Sequence, residues 1–160
     1  LSVKAADTIE ARFRTLAGEL NPQRILELGP PEMREQGLSY SKISYLHALA
    51  DAFHQGSLEP HALKTMPEAD ITASLTAVKG IGLWTAEMFM IFGMGRPDIW
   101  SPGDLGLRKA LWALFGEDAD LTETSNDWAP YRSYASLYLW KFWDERPKTP
   151  KAATQGTPTN

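Results

Sequence analysis

Asp104 is a candidate for electrostatic or general-base chemistry. It follows Trp100-Ser-Pro-Gly and directly precedes a helical pattern that begins at Leu105. An aspartate in this position caps a helix by accepting backbone N–H bonds, and the positive end of the helix dipole favours the charged carboxylate. A fixed carboxylate can stabilise positive charge that develops on a sugar, or activate a water molecule that attacks it. A purely structural helix cap is the alternative.

A second candidate is the segment Gly80-Ile81-Gly82, which joins one short helical pattern to the next. Without side chains at the two glycines, a phosphate can approach the backbone closely, and the following helix presents unpaired N–H groups to it. Lys79 and the hydroxyl of Thr85 are additional donors. These features predict contact with one strand of a nucleic-acid backbone through oriented amides. A glycine turn that merely joins two packed helices is the alternative.

Aromatic residues cluster near both candidates in a chain with six tryptophans and five tyrosines. Flat aromatic faces can stack on a base that has left the double helix, and a cationic alkylated purine gains further from cation–π attraction. Packing in the hydrophobic core is the alternative for each of them. The aromatics in question are Trp84, Trp100, Trp128, Tyr131, Tyr134, Tyr138 and Trp140.

Several other chemistries are excluded by what the sequence contains. It has no cysteine, which removes disulfides, thiolate zinc sites, iron–sulfur clusters and cysteine nucleophiles. His47, His54 and His61 are spaced by seven residues, which is not the spacing of helical metal ligands. No Ser-His-Asp grouping, P-loop or dinucleotide fingerprint occurs.

Length and composition favour one compact domain. The chain has 160 residues, of which 43% are hydrophobic and 22% charged. We expect a domain over residues 1–146 and a flexible tail over 147–160. The net charge of −4 means that any basic face must be local. No apolar run is long enough to span a membrane and no signal peptide is visible, so we expect a cytoplasmic protein.

The elements that must position these residues are predicted to be helices only. Helical periodicity, proline starts and glycine ends indicate about eight of them, and no strand pattern is present. The predicted fold is therefore all-α, a compact multi-helix domain. The helices are expected near 3–20 (ended by Asn21-Pro22), 23–28, after Pro30-Pro31, from Ser39 or Ser41 to Gly56, 67–77, 83–92 (buried), 105–115 and 127–143.

Three segments, residues 78–86, 100–109 and 130–140, together resemble the helix-hairpin-helix superfamily of base-excision DNA glycosylases, specifically its 3-methyladenine DNA glycosylase II (alkylpurine) branch. The resemblance runs from residue 1 to about residue 143. The hairpin and the aspartate also recur at the family separation, since 104 − 82 gives 22 positions between Gly82 and Asp104.

The resemblance implies roles for particular residues. Asp104 falls on the catalytic aspartate, and the DNA-binding hairpin falls on Lys79, Gly80, Ile81, Gly82 and Thr85. The lesion-binding positions are Trp84, Met88 and Trp140; the position of Met88 can be tyrosine in relatives. The family hairpin often binds a monovalent ion, Na+ or K+, which here would lie on the backbone carbonyls of Thr76, Val78 and Ile81. No other cofactor is implied.

The resemblance also implies the type of reaction. Bifunctional members carry a Schiff-base lysine at the position of Trp84, and tryptophan has no amine nucleophile. We therefore expect a monofunctional, monomeric enzyme that flips alkylated purines out of duplex DNA and hydrolyses the N-glycosidic bond, without cutting the strand. The alternatives are a glycosylase for a deaminated or mismatched base, and a helix-hairpin-helix module that binds damaged DNA without turnover.

The sequence departs from the family pattern at its start. Family members usually carry a further helical segment before the position of Leu1, and the residue that wedges into the emptied base stack lies just upstream of it. We expect the natural chain to begin earlier, with Ser2 capping the first helix present here.

Overall fold

The structure, a computed structural model, describes residues 3–146, and within them the chain forms ten α-helices and one π-helical segment. None of these residues forms a strand, which confirms the predicted all-α class. The predicted cap Ser2 and the predicted tail 147–160 lie outside the described residues. The helices are α1 (Val3–Ala17), α2 (Pro22–Glu27), α3 (Pro30–Glu35), α4 (Tyr40–His54), α5 (Pro60–Thr65), α6 (Glu68–Thr76), α7 (Leu83–Met88), the π-helical segment (Phe89–Gly93), α8 (Leu105–Phe115), α9 (Leu121–Asn126) and α10 (Arg132–Glu145).

The chain divides into two compact units, Leu1–Gly95 and Arg96–Asn160. Helices α1 to α7 and the π-helical segment belong to the first unit, and α8 to α10 belong to the second. The assignment of a single domain to residues 1–146 stays a prediction.

One hydrophobic cluster of the first unit is built from apolar residues on α1 to α4 and in the segments between these helices. Full burial of one such large side chain stabilises the fold by about 1.5–3 kcal/mol. The buried members are Phe13, Ala17, Ile25, Leu28, Met33, Leu38, Ile43 and Ala50. Of the two serines predicted to cap α4, Ser39 does so, because its side chain accepts the N–H of Lys42.

Helix α1 is shorter than the sequence pattern predicts. It ends at Ala17, and the N–H of Gly18 closes the last turn on the carbonyl of Arg14. Leu20, which the apolar stripe assigned to the same helix, is 45% exposed. The stop therefore comes from Gly18 and precedes the predicted stop at Asn21-Pro22.

The prediction of one buried helix over 83–92 is wrong in two respects. The α-helix ends at Met88 and continues as a π-helical segment. Leu83 is also 57% exposed and Phe92 63% exposed, while Ala86 and Met90 between them are buried. The apolar run thus has one inward face and one outward face, and its composition alone could not show which residues point outward.

The last helix begins later than the start of the predicted span of 127–143. Pro130 lacks a backbone N–H and restricts the residue before it, so a helix cannot pass through this position without a break. Helix α10 begins at Arg132, after the proline. Helix α9, which is capped by the side chain of Asp120, lies before the predicted span and is a further helix that the sequence pattern did not indicate. Helix α5, which the sequence analysis did not predict, has Pro60 in its first turn.

Helices α8 and α10 pack against each other in the second unit. Leu107 and Ala110 of α8 and Leu139 of α10 are buried together. Partly buried aromatics surround them, namely Trp100, Trp128, Trp140, Phe142 and Trp143. This packing brings the middle of α10 alongside the first turn of α8.

Among residues 3–146, we find no helix with the length and apolarity that crossing a membrane requires.

Candidate functional site

The predicted hairpin forms a tight turn between α6 and α7. Helix α6 ends at Thr76, the N–H of Ile81 closes the turn on the carbonyl of Val78, and Gly82 is the N-cap of α7. The side chain of Val78 is buried, which anchors the turn to the first unit. No side chain caps the start of α7, and backbone N–H groups at the start of a helix can bind an anion.

Gly80 could not be any other residue in this turn without strain. Its φ is +90°, a left-handed conformation that L side chains rarely adopt. A Cβ built on Gly80 would also come within 2.1 Å of the ring of Tyr45, on α4. The sequence analysis missed Tyr45, and only the folded chain shows that this ring supports the hairpin.

The polar residues of the hairpin are accessible. Lys79, Gly80, Gly82 and Thr85 are exposed, and Ile81 is half-buried. All of them belong to the first unit, so the structure brings the predicted DNA-binding residues together on one turn.

The hairpin also presents carbonyl groups suited to a monovalent cation. The carbonyls of Thr76 and Ile81 accept no hydrogen bond from another described residue, and that of Val78 accepts one, from Ile81. Thr76 is the last residue of α6, where the negative end of the helix dipole favours a cation. The three predicted carbonyls therefore fit Na+ or K+ chemically.

Two of the predicted lesion-binding residues lie on α7. Trp84 is 53% exposed and Met88 is half-buried. Because they are four residues apart on a helix, their side chains share one face. Trp84 is therefore not a fully buried core residue, and part of its ring is accessible.

Asp104 is the buried N-cap of α8. Its Oδ1 accepts the backbone N–H of Leu107 at 2.8 Å and the indole N–H of Trp140 at 2.8 Å. The residue is only 9% exposed. The predicted cap is thus confirmed, and the structure adds a tryptophan N–H that the sequence did not reveal. The catalytic role of Asp104 stays a prediction.

The segment that leads to Asp104 is fastened to the start of α10. Arg132 donates to both carboxylate oxygens of Asp98 at 2.7 Å. Side-chain hydrogen bonds from Arg132 hold the pKa of Asp98 below its ordinary value, against an opposing effect of burial. Ser133 adds a second link, because its hydroxyl accepts the N–H of Ile99 and its own N–H donates to the carbonyl of Pro97. Asp104 and Trp140 are therefore held on one rigid framework.

The remaining aromatic candidates separate into two groups. Trp100 and Trp128 are partly buried, with ring centroids 5.7 Å apart in an edge-to-face arrangement, which assigns them to the packing of the second unit. The indole N–H of Trp100 is buried without a hydrogen-bond partner. Tyr134 and Tyr138 are exposed on α10, and Tyr131 is exposed at its N-cap.

The three histidines lie on helices α4 and α5. No three His, Cys, Asp or Glu residues within 3–146 are grouped so that they could hold a metal ion. His47 instead makes a hydrogen bond, at 3.1 Å, to the carbonyl of Leu28.

Comparisons with known proteins point in one direction. The family model of HhH-GPD superfamily base excision DNA repair proteins matches residues 1–129. DNA-3-methyladenine glycosylase 1 of Schizosaccharomyces pombe is 32% identical over 150 residues, which cover 88% of this chain and 66% of that protein.

Two solved structures are also similar. One is a DNA-3-methyladenine glycosidase from Bacillus halodurans, with a TM-score of 0.82 and 36% identity over 91% of this chain and 70% of that chain. The other is the Schizosaccharomyces pombe 3-methyladenine DNA glycosylase Mag1 in complex with abasic DNA, with a TM-score of 0.80 and 31% identity over 88% of this chain and 73% of that chain.

The chain is shorter than its relatives. It spans 54% of a Bacillus subtilis relative that is 32% identical over 154 residues, and 66% of the fission yeast enzyme.

Proposed function

This chain belongs to the HhH-GPD superfamily of base excision DNA repair proteins, in its DNA-3-methyladenine glycosylase family, and on that premise we propose that it excises alkylated purines from duplex DNA. The lesions are of the 3-methyladenine and 7-methylguanine type. The observation that carries the proposal is the carboxylate of Asp104, buried and oriented by two N–H donors to one of its oxygens.

Asp104 is the proposed catalytic residue. When the glycosidic bond of a cationic alkylated purine breaks, its electron pair goes to the purine, which leaves neutral, and positive charge develops on the sugar. The Asp104 carboxylate stabilises that charge and orients the water whose oxygen bonds to C1′. The proton of this water passes to the carboxylate or to solvent. Since the alkylated base is already a good leaving group, no second acid is required.

Trp84, Met88 and Trp140 are proposed to bind the damaged base. The exposed face of Trp84 attracts a cationic purine by cation–π interaction, while normal purines lack the positive charge. Alkylated bases are also more easily extruded because they pair weakly. The indole at position 84 offers no amine, so the proposed enzyme is monofunctional and leaves an intact strand with an abasic site.

The hairpin is proposed to bind a DNA phosphate. Gly80 and Gly82 let the phosphate approach the backbone, and the exposed Lys79 and Thr85 donate from either side of Ile81. Binding through amides reconciles DNA recognition with a net charge of −4. A Na+ or K+ ion on the carbonyls of Thr76, Val78 and Ile81 would add positive charge beside that phosphate.

The partner in this proposal is duplex DNA that contains alkylated bases, and the protein acts as a cytoplasmic monomer without an organic cofactor.

The test is release of free bases from methylated duplex DNA by the parent and by Asp104→Asn. Asparagine caps helices as well as aspartate does, so this variant keeps the fold but removes the charge. We expect 3-methyladenine or 7-methylguanine from the parent, none from the variant, and no strand breaks from either. Release of uracil or a mismatched base instead would indicate another lesion, and DNA binding with no release by either protein would indicate a non-catalytic module.

A further inference from the structure

A side chain at Gly106 would crowd both partners of the hydrogen bond between Trp140 and Asp104. It lies two residues after the cap, in the first turn of the helix. A Cβ built on Gly106 would lie 3.0 Å from Cδ1 and 3.3 Å from Nε1 of Trp140, and 3.1 Å from Oδ1 of Asp104. Because Gly106 has no side chain, the indole of Trp140 and the carboxylate of Asp104 can both pack against the place where a Cβ would lie.

Helix propensity gives no reason for a glycine here. The backbone of Gly106 is helical, and a glycine within a helix is less stable than alanine. A glycine that costs stability and needs no unusual φ is explained by close approach of another group. The approaching group is the indole of Trp140.

The indole has little freedom to adjust. Leu139, its neighbour on α10, is buried against Leu107 of α8. At its N-terminal end α10 is tied to the segment before Asp104 by the Asp98–Arg132 pair. An added methyl group at position 106 must therefore displace the ring or the carboxylate by a few tenths of an ångström, since the helix backbone is fixed by packing.

We propose that Gly106 is a positioning residue, which admits the indole of Trp140 to the first turn of α8 so that its N–H fixes Oδ1 of the Asp104 carboxylate. The inference rests on the proposed function, because it assigns Gly106 a role in orienting the carboxylate that assists base loss. Misplacement of a catalytic group by about 1 Å can cost about a hundred-fold in rate, so a smaller displacement is expected to cost less.

The central test compares Gly106→Ala with Gly103→Ala. Gly103 lies next to Asp104 on the same loop, and a Cβ built there meets nothing within 4 Å. We expect Gly106→Ala to slow single-turnover excision of 7-methylguanine about ten-fold or more, with unchanged DNA affinity and without a loss of thermal stability. We expect Gly103→Ala to resemble the parent. Equal rates for parent and Gly106→Ala would overturn the inference.

A double-mutant cycle separates positioning from general disturbance. Trp140→Phe removes the indole N–H and keeps an aromatic ring. If Gly106 acts through that N–H, adding Gly106→Ala to Trp140→Phe lowers the excision rate by less than two-fold further, because the interaction is already lost. Fully additive losses would show that Gly106 acts by another route, and would contradict the proposal.

A spectroscopic readout does not depend on turnover. The indole N–H resonance of Trp140, assigned by its absence in Trp140→Phe, is expected to shift in Gly106→Ala and in Asp104→Asn but not in Gly103→Ala. An unshifted resonance in Gly106→Ala would overturn the inference even if the parent is active. A shifted resonance together with no base release by the parent would refute the proposed function and leave the packing of Trp140 against Gly106 established.

Discussion

The ring of Tyr45 lies directly on the α-carbon of Gly80, so that a Cβ at position 80 would come within 2.1–2.6 Å of three ring carbons. Tyr45 is on α4 and Gly80 is on the turn between α6 and α7. The hairpin is thus supported by a helix that is distant in sequence. Two separate requirements, a positive φ and the close ring, fall on one glycine, and they can be measured separately.

Gly80→Ala should destabilise the protein more than Gly56→Ala. The φ of Gly56 is +74°, and a Cβ there meets nothing within 4 Å, so alanine at 56 bears only the backbone cost of about 1–2 kcal/mol. Gly80→Ala bears a similar backbone cost and must also displace Tyr45. We expect a loss of unfolding free energy in urea that is larger by at least about 1 kcal/mol, together with weaker binding to duplex DNA. Equal losses of unfolding free energy in Gly80→Ala and Gly56→Ala would show that the Tyr45 ring moves aside without a cost.

Trp84→Ala should separate substrate binding from stability. Because the side chain is 53% exposed, its removal should cost less unfolding free energy than the roughly 3–5 kcal/mol of a fully buried tryptophan. Loss of stacking on the base is worth about 1–3 kcal/mol, so excision of cationic 7-methylguanine should slow by roughly five- to a hundred-fold.

The matched control for Trp84 is Phe92→Ala, which removes another exposed aromatic of the same unit. We expect it to keep the parent's excision rate. Similar loss of activity in both variants would mean that the exposed apolar surface matters as a whole, and would remove the specific assignment of Trp84.

Lys79→Ala should reduce the salt dependence of DNA binding. Each phosphate neutralised by a basic side chain contributes about −0.9 to the slope of log K against log salt. Since Lys79 is the one basic residue assigned to the hairpin, we expect a shallow slope for the parent and a slope reduced by about 1 in the variant. Lys4→Ala, which removes an exposed lysine of α1, should leave the slope unchanged. An unchanged slope in Lys79→Ala would place the phosphate contact elsewhere.

Local signals in the sequence were sufficient to place Asp104 but not its partner. The cap at Asp104, the apolar spacing from Leu107 and the stop at Gly116 all act within one helix, and α8 forms as they predict. The hydrogen bond to Trp140 joins residues 36 positions apart and exists only because α8 packs on α10. The family resemblance assigns Trp140 to lesion binding. Its hydrogen bond to Asp104 could not be predicted from the helical periodicity of the sequence.

Residues defined by close approach escaped the sequence analysis. The sequence contains only a weak indication of the role of Gly106, which is a glycine that interrupts a helical pattern without marking the end of the helix. It contains no indication of the role of Tyr45, because a tyrosine on a helix is ordinarily assigned to packing. The apolar run over 83–92 misled for a related reason: apolar composition predicts burial, whereas Trp84 and Phe92 are exposed at positions that only the folded chain reveals.

Asp98→Asn should change stability in a pH-dependent way. The Arg132 guanidinium lowers the pKa of Asp98, so the folded state favours the charged carboxylate. This stabilisation is fully present above the unfolded-state pKa of about 3.9 and is lost as the pH falls through the lower pKa of the folded state. At pH 7 we expect the variant to be less stable by about 1–2 kcal/mol, since Asp98→Asn weakens the two hydrogen bonds that the Arg132 guanidinium donates to the carboxylate. That difference should shrink as urea midpoints are measured at successively lower pH.

Glu10→Gln is the control for this pair, because it breaks an ion pair with Arg14 whose side chains are about 60% exposed. Exposed pairs contribute at most about 1 kcal/mol, so its effect at pH 7 should be small. If Asp98→Asn costs as much stability at pH 3 as at pH 7, the carboxylate charge is not what fastens this segment to α10. The neutral hydrogen bonds through Ser133 would then carry the link that holds Asp104 beside Trp140.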